Sequence, residues 1–196
     1  MQGTSPSGRR QATRYALILA AAHVAAAGLL VFLLTQVVGL TVLAHSSAAE
    51  RLLVVGAAVL AGVVLDVRAM RRRSYSMGLE RQTPKALAHT SREWWVTPLL
   101  WGADTGLIWT TYRVSFCSWL LLVLASVGAA PPWAGLVYGL AFTVPLLVVL
   151  AWRPASAAEC EVNVPKRTRP QVAQAFGVAS MVLLGGSLLW LPHVVA

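Results

Sequence analysis

The sequence predicts an all-α integral membrane protein with five transmembrane helices, a cytoplasmic N-terminus and one broken or interfacial helix around residues 94–113. Three observations carry that prediction. Apolar residues fall in long blocks, charges are confined to the connections between blocks, and the basic residues gather on alternate connections. Of the 196 residues, 57% are hydrophobic and 12% are charged, with a mean hydropathy of +0.66. Soluble domains carry about 25% charged residues. The composition therefore excludes an ordinary soluble globular domain, a disordered tail and a fibrous repeat. A membrane helix takes about 20 residues, so residues 1–196 form a single transmembrane domain with no room for a second, soluble one.

The elements follow in order. Residues 1–14 are polar and carry Arg9, Arg10 and Arg14, whereas Tyr15 to Ala44 contains no charge. The apolar core of a secretory signal spans about 7–15 residues; this run is twice that, and it reads as a first span over 15–43. A short loop, His45–Arg51, leads to a second span over 52–67, which ends on Arg68, Arg71, Arg72 and Arg73. Residues 68–93 form a polar cytoplasmic loop. The next 35 residues, Trp94 to Gly128, contain only Asp104 and Arg113 as charges. A straight helix of that length would measure about 52 Å against a hydrocarbon core of about 30 Å. Two full spans would need a polar turn that is missing, so a break is expected, with Pro98, Gly102 and Gly106 as break points and a span over 108–128. Pro131 and Pro132 make a turn. The span over 133–152 carries a tryptophan at each end, as interface residues do. Residues 153–171 are a second cytoplasmic loop, and 172–195 is the last span.

The charge distribution orients this layout. With the N-terminus inside, segments 1–14, 68–113 and 153–171 hold three, eight and four of the sixteen Lys/Arg, leaving Arg51 alone outside. That is the positive-inside pattern. The net charge of +9 is thereby assigned to topology and anionic headgroups rather than to nucleic acid. Fourteen of the sixteen cations are arginine and the apolar set is dominated by Ala, Val and Leu, which looks like a high-GC bacterial composition; the expected location is the plasma (inner) membrane. The bilayer and another membrane subunit are the expected partners.

The chemistry-bearing residues are few. Asp104 and Arg113 lie at membrane depth, where an ionisable group is expensive and defaults to a functional hypothesis. They would be about 13 Å apart on a straight helix, and a break between them brings them closer. Thr110, Thr111 and Tyr112 lie between them, so Asp104, Thr110, Thr111, Tyr112 and Arg113 are the expected polar pocket. Asp104, Arg113 and Tyr112 are the candidates for catalysis. The opposing reading has Arg113 reaching the inner headgroups, Asp104 marking a helix start and the hydroxyls bonding back to the helix. Asp66 reads as an interfacial ion-pair partner of Arg68. His23, alone on an Ala-rich helix with no second ligand at i+3 or i+4, reads as packed neutral against a hydroxyl or carbonyl. Ala58-xxx-Gly62 and Gly135-xxx-Gly139 offer small faces for helix packing. Two cysteines, Cys117 and Cys160, set up neither a disulfide framework nor a metal site. No cofactor or metal motif is present in the sequence.

From Arg51 onward the order of features resembles the membrane domain of the CcdA/DsbD family, the thiol electron carriers of cytochrome c biogenesis. The resemblance rests on LLVVGAAVLAGVVLDVRAMRRR, on WGADTGLIWTTYRVSFCSWLLLVLA and on YGLAFTVPLLVVLAW. These are similar to that family's Gly-containing span with a basic loop, its Gly-rich lead into a Trp-Thr-Pro-Cys break, and its Gly-rich span with a Pro-Leu-Leu segment. It covers about 150 residues and aligns the first span of this chain with the family's second helix. The resemblance implies the helical fold but departs where the family's chemistry sits. The family uses one cysteine in its first helix and one in the broken helix; Tyr112 stands at the second position. Exchange requires a thiolate attacking a disulfide sulfur, and a phenol does not do this. Cys117 lies five residues further on, and Cys160 is flanked by Glu159 and Glu161, whose charges oppose thiolate formation.

Two functions follow as expectations. One is a non-redox relative of these carriers, acting as a small-solute transporter-like or accessory membrane subunit. The other is a membrane-embedded enzyme on a lipid-like substrate, with Asp104 as acid or base and Arg113 holding an anion. In the first, both cysteines are dispensable. A Cys117→Ser, Cys160→Ser double variant should insert at the wild-type level, and alkylation-quenched, non-reducing electrophoresis should trap no mixed disulfide with a thioredoxin-like protein. A trapped adduct at Cys117 would restore the carrier reading.

Overall fold

The computed structural model describes residues 6–72, 93–108, 115–152 and 169–190. Among them every regular element is a helix. The chain is helical from Pro6 to His45, as α1 (Pro6–Leu33), a π-helical turn (Leu34–Gly39) and α2 (Leu40–His45). Then come α3 (Ala48–Arg72), α4 (Val96–Gly106), α5 (Cys117–Ser126), α6 (Ala134–Trp152) and α7 (Arg169–Trp190). Two helical stretches are long and apolar enough to cross a membrane, Gln11–His45 and Ala48–Arg72. The described residues fall into two compact units: 6–32, 93–108 and 133–152 in the first, and 33–72, 115–132 and 169–190 in the second.

The first unit is built on α1. Its buried positions Ala16, Ala20, His23, Ala27 and Leu30 recur every three to four residues and so share one face. Alanine on that face lets other backbones come close. On α4, Pro98, Gly102 and Gly106 are all buried at i, i+4 and i+8. A Cβ on Gly102 would strike the Leu19 carbonyl and sit 2.8 Å from Ala22; one on Gly106 would strike the His23 carbonyl and sit 2.8 Å from Ala26. These residues were expected to break the helix. Pro98 and Gly102 instead lie inside it, as a contact stripe against α1, because the close approach leaves no space for a side chain. α6 uses Gly135 and Gly139 in the same way, against Ala27, Val31 and Val24 of α1, as their small-residue spacing predicts.

The second unit contains the π-turn, α2, α3, α5 and α7. Val55, Gly62, Asp66 and Ala69 are the buried face of α3, and Gln174, Gly177 and Met181 that of α7. At Gly62 a Cβ would lie 2.5 Å from the Phe116 ring and 2.7 Å from the Met181 sulfur. The α2–α3 connection is set by a capping box: the Ser47 N–H and hydroxyl both donate to Glu50 Oε2 (2.7 and 2.9 Å), and the Glu50 N–H donates to Ser47 Oγ (3.3 Å).

The stretch 94–128 does break, at Gly106, one of the three expected break points. α4 ends at Gly106, Leu107 turns to extended backbone (φ −70°, ψ 101°), and α5 starts only at Cys117. Within the span expected over 108–128, α5 supplies ten helical residues, about 15 Å of helix, or half of a hydrocarbon core of about 30 Å; residues 109–114 lie outside the described part. α5 stops in a Schellman motif. Gly128 adopts φ +70°, its N–H donates to the Ala125 carbonyl (3.1 Å), and the Ala129 N–H donates to Leu124 (2.8 Å). Elsewhere the helices outrun the sequence boundaries: α3 reaches Arg72, and α7 begins at Arg169. The last span's end at 195 lies outside the described residues.

The glycine stripe of α4 is testable. Gly102→Val should lower thermal stability in detergent by about 1–3 kcal/mol through overpacking against α1. Gly186→Val, with nothing within 4 Å of its would-be Cβ, should be close to neutral.

Candidate functional site

Each unit has a fully buried ionisable side chain on a long helix, His23 in the first and Asp66 in the second. Asp66 sits one turn below Gly62, on the face of α3 turned towards α7. Its carboxylate receives the start of α5. The Ser115 hydroxyl donates to Oδ2 at 2.6 Å, and the Phe116 N–H donates to Oδ1 at 3.0 Å and Oδ2 at 3.2 Å. Ser115 Oγ in turn accepts the Cys117 N–H at 3.1 Å. The first amides of a helix lack intrahelical acceptors and carry the positive end of its dipole. α5 has no capping side chain at its own N-cap, Phe116, so Asp66 performs that role from another helix. The site closes against α7: a Cβ on Gly177 would overlap the Ser115 hydroxyl and lie 3.4 Å from Asp66 Oδ2.

This corrects the ion-pair reading of Asp66. Arg68, two residues on, projects about 200° around the helix and is exposed, whereas Asp66 is buried and bonded to Ser115 and Phe116. The sequence carried a usable signal. Asp66 falls in register with Val55, Gly62 and Ala69, so the apolar periodicity already places it on the packed face. Ser115 had no such signal, because its partner lies 49 residues away.

In the first unit, His23 Nδ1 lies 3.1 Å from Thr105 Oγ1. The Thr105 hydroxyl has one proton, directed to the Trp101 carbonyl at 2.9 Å. The Gly102 carbonyl lies 3.1 Å from the same hydroxyl, so Thr105 ties the imidazole to the last turn of α4. The imidazole stacks on Phe142 at 4.5 Å between centroids, with Tyr138 further out at 6.4 Å. The expectation of a histidine packed against a hydroxyl describes this arrangement.

Asp104 lies half-buried in the last turn of α4, next to Thr105. The other members of the expected pocket, Thr110, Thr111, Tyr112 and Arg113, lie outside the described residues, as does Cys160. Cys117 is a free cysteine at the first position of α5. No protein-family model matches the sequence, and neither a curated protein nor a solved structure matches the chain.

Chemically, the Asp66 cluster is an anion held by donors rather than a group presented to a substrate. Its removal is the direct test. Asp66→Ala orphans the Phe116 amide and the Ser115 hydroxyl, at about 1–3 kcal/mol each, and should sharply lower thermal stability. Asp66→Asn, which keeps an acceptor oxygen, should fall between that variant and wild type. An Asp66→Ala protein as stable as wild type would show that the cap contributes nothing.

Proposed function

We propose that this chain is a five-span plasma-membrane protein with a cytoplasmic N-terminus, working as a non-redox accessory subunit of a transporter-like membrane assembly. The observation that carries the reading is the use made of buried polarity. His23 and Asp66, the ionisable side chains wholly withdrawn from the surface among the described residues, are each tied to the end of a short helix, through Thr105 and through Ser115 and Phe116. Polar groups committed in this way hold a scaffold of broken helices. Broken helices at membrane depth are tolerated where protein or a wet cavity satisfies them, and they recur in transporters.

Electron-carrier chemistry is disfavoured by the same geometry. A helix N-terminus is one of the features that activate a cysteine, and at α5 that position is occupied by the Asp66 carboxylate. The charge asymmetry supports the topology, and the two long apolar helical stretches support the membrane location.

Reporter fusions at Ser47, Pro131 and Ala196 should read periplasmic, and fusions at Ala88 and Asn163 cytoplasmic; a cytoplasmic Ala196 would overturn the five-span layout. Purification in mild detergent should recover a second membrane chain in fixed proportion. A chain that purifies alone and turns over a lipid-like substrate, with the turnover abolished by Asp104→Ala, would replace the accessory reading with an enzymatic one.

A further inference from the structure

The face of α3 opposite Asp66 carries a second pattern. At about 100° per residue, Leu53, Leu60, Val64 and Arg71 fall within about 40° of one another, and Arg68 and Arg72 lie on the adjoining flank. All six are exposed, Leu53 by 74%, Leu60 by 66% and Val64 by 56%. The buried residues Val55, Gly62, Asp66 and Ala69 occupy the other side of the helix. The outer face thus changes from aliphatic to cationic in its last turns, with Arg71 in line with the aliphatic stripe and Arg68 and Arg72 about 60° and 100° to one side of it. The dimensions matter as well. Leu60 lies about 16 Å along the axis from Arg71, which is half of a hydrocarbon core of about 30 Å. The aliphatic run therefore spans the depth of one leaflet, and the guanidinium groups fall where that leaflet's phosphates lie.

We infer that this stripe of α3 binds an anionic phospholipid, with its acyl chains along Leu60 and Val64 and its phosphate held by Arg68, Arg71 and Arg72. The inference rests on the membrane reading of the chain. Charge complementarity selects the occupant: three arginines, and no acid, close the aliphatic stripe, so a zwitterionic headgroup leaves its cationic part facing guanidinium groups. Arginine also suits the phosphate, because its planar fork donates two parallel hydrogen bonds.

The test uses the full chain, purified in detergent, delipidated and titrated with phosphatidylglycerol, phosphatidylcholine or glycerol phosphate, with bound lipid read by native mass spectrometry. Phosphatidylglycerol should be retained and phosphatidylcholine should not. Arg68→Gln, Arg71→Gln and Arg72→Gln together should weaken phosphatidylglycerol binding roughly a hundredfold, at roughly fivefold per arginine near an anionic surface. Arg71→Gln alone, a milder change should the triple variant fail to fold, should weaken it roughly fivefold. Substituting Arg9, Arg10 and Arg14 by Gln removes the same net charge and should leave binding intact. Equal losses in the two triple variants would mean that net charge alone attracts lipid, and would overturn the site. Wild-type binding by the α3 variants, or equal binding of glycerol phosphate, would overturn it too. Failure of the membrane reading itself gives a different result, release of the chain from membranes by alkaline carbonate.

Discussion

The bond between Asp66 and the first turn of α5 is the constraint on which the second unit depends. A ten-residue helix is marginal on its own, because nucleation is costly and its terminal amides and carbonyls lack partners. α5 ends beside Gly128 in a motif that satisfies its last carbonyls locally. At its start only the Cys117 N–H is met locally, by Ser115 Oγ, since Phe116 cannot cap. The donors at Ser115 and Phe116 are met instead by a carboxylate from α3, and Gly177 of α7 leaves the space in which they meet. Three helices thus converge on one charged group. Removing that group exposes two donors to an apolar interior, whereas adding one methyl at Gly177 drives α7 off the Ser115 hydroxyl.

The first unit solves the opposite problem, the end of a short helix rather than its beginning. α4 lies on α1 through buried Gly102 and Gly106, and Thr105 in its last turn is hydrogen-bonded to His23. A carboxylate at that end would be repelled by the carbonyls of the helix C-terminus. At the α5 start the field has the other sign, and an anion is the matching group. Aspartate thus matches the end of the helix that it holds.

Much of this was legible in the sequence. The uncharged runs locate α1 and α3, the Trp133–Trp152 block matches α6 (Ala134–Trp152) to a residue, and the length of the 94–128 stretch forces a break. The small residues of α6 mark where it meets α1. What could not be read was tertiary. Hydropathy does not distinguish a helix interrupted at Gly106 from one that continues, so Gly102 looked like a break point when it is a contact. Asp66 stood near Arg68 in the sequence, and proximity along the chain favoured an ion pair. The partner it has is remote in sequence, and only the register with Gly62 and Ala69 pointed inward. Of the expected pocket, Asp104 lies in the last turn of α4, and residues 110–113 lie outside the described part of the chain.

The distribution of polarity explains why such anchors are worth their desolvation cost. Leu53 and Leu60 on α3 and Phe176 and Leu183 on α7 are among the most exposed large side chains, while His23, Asp66, Thr143 and Gln174 are buried. In water that arrangement would be self-defeating, since contiguous exposed apolar surface drives association. In hydrocarbon the outward leucines cost nothing, and burying them would gain nothing either, because lipid tails are as apolar as a protein core. Helix packing must then come from close backbone contact and from polar groups with no alternative partner in lipid. The glycine and alanine stripes between α1, α4 and α6 supply the first. The Asp66 and His23 anchors supply the second, and the hydroxyls of Thr41, Ser126, Thr143 and Ser180 turn back onto carbonyls of their own helices at 2.7–2.9 Å. With lipid as the outer solvent, both kinds of contact favour the folded arrangement, and a carboxylate wholly enclosed by a helix N-terminus becomes a stabilising feature of the second unit.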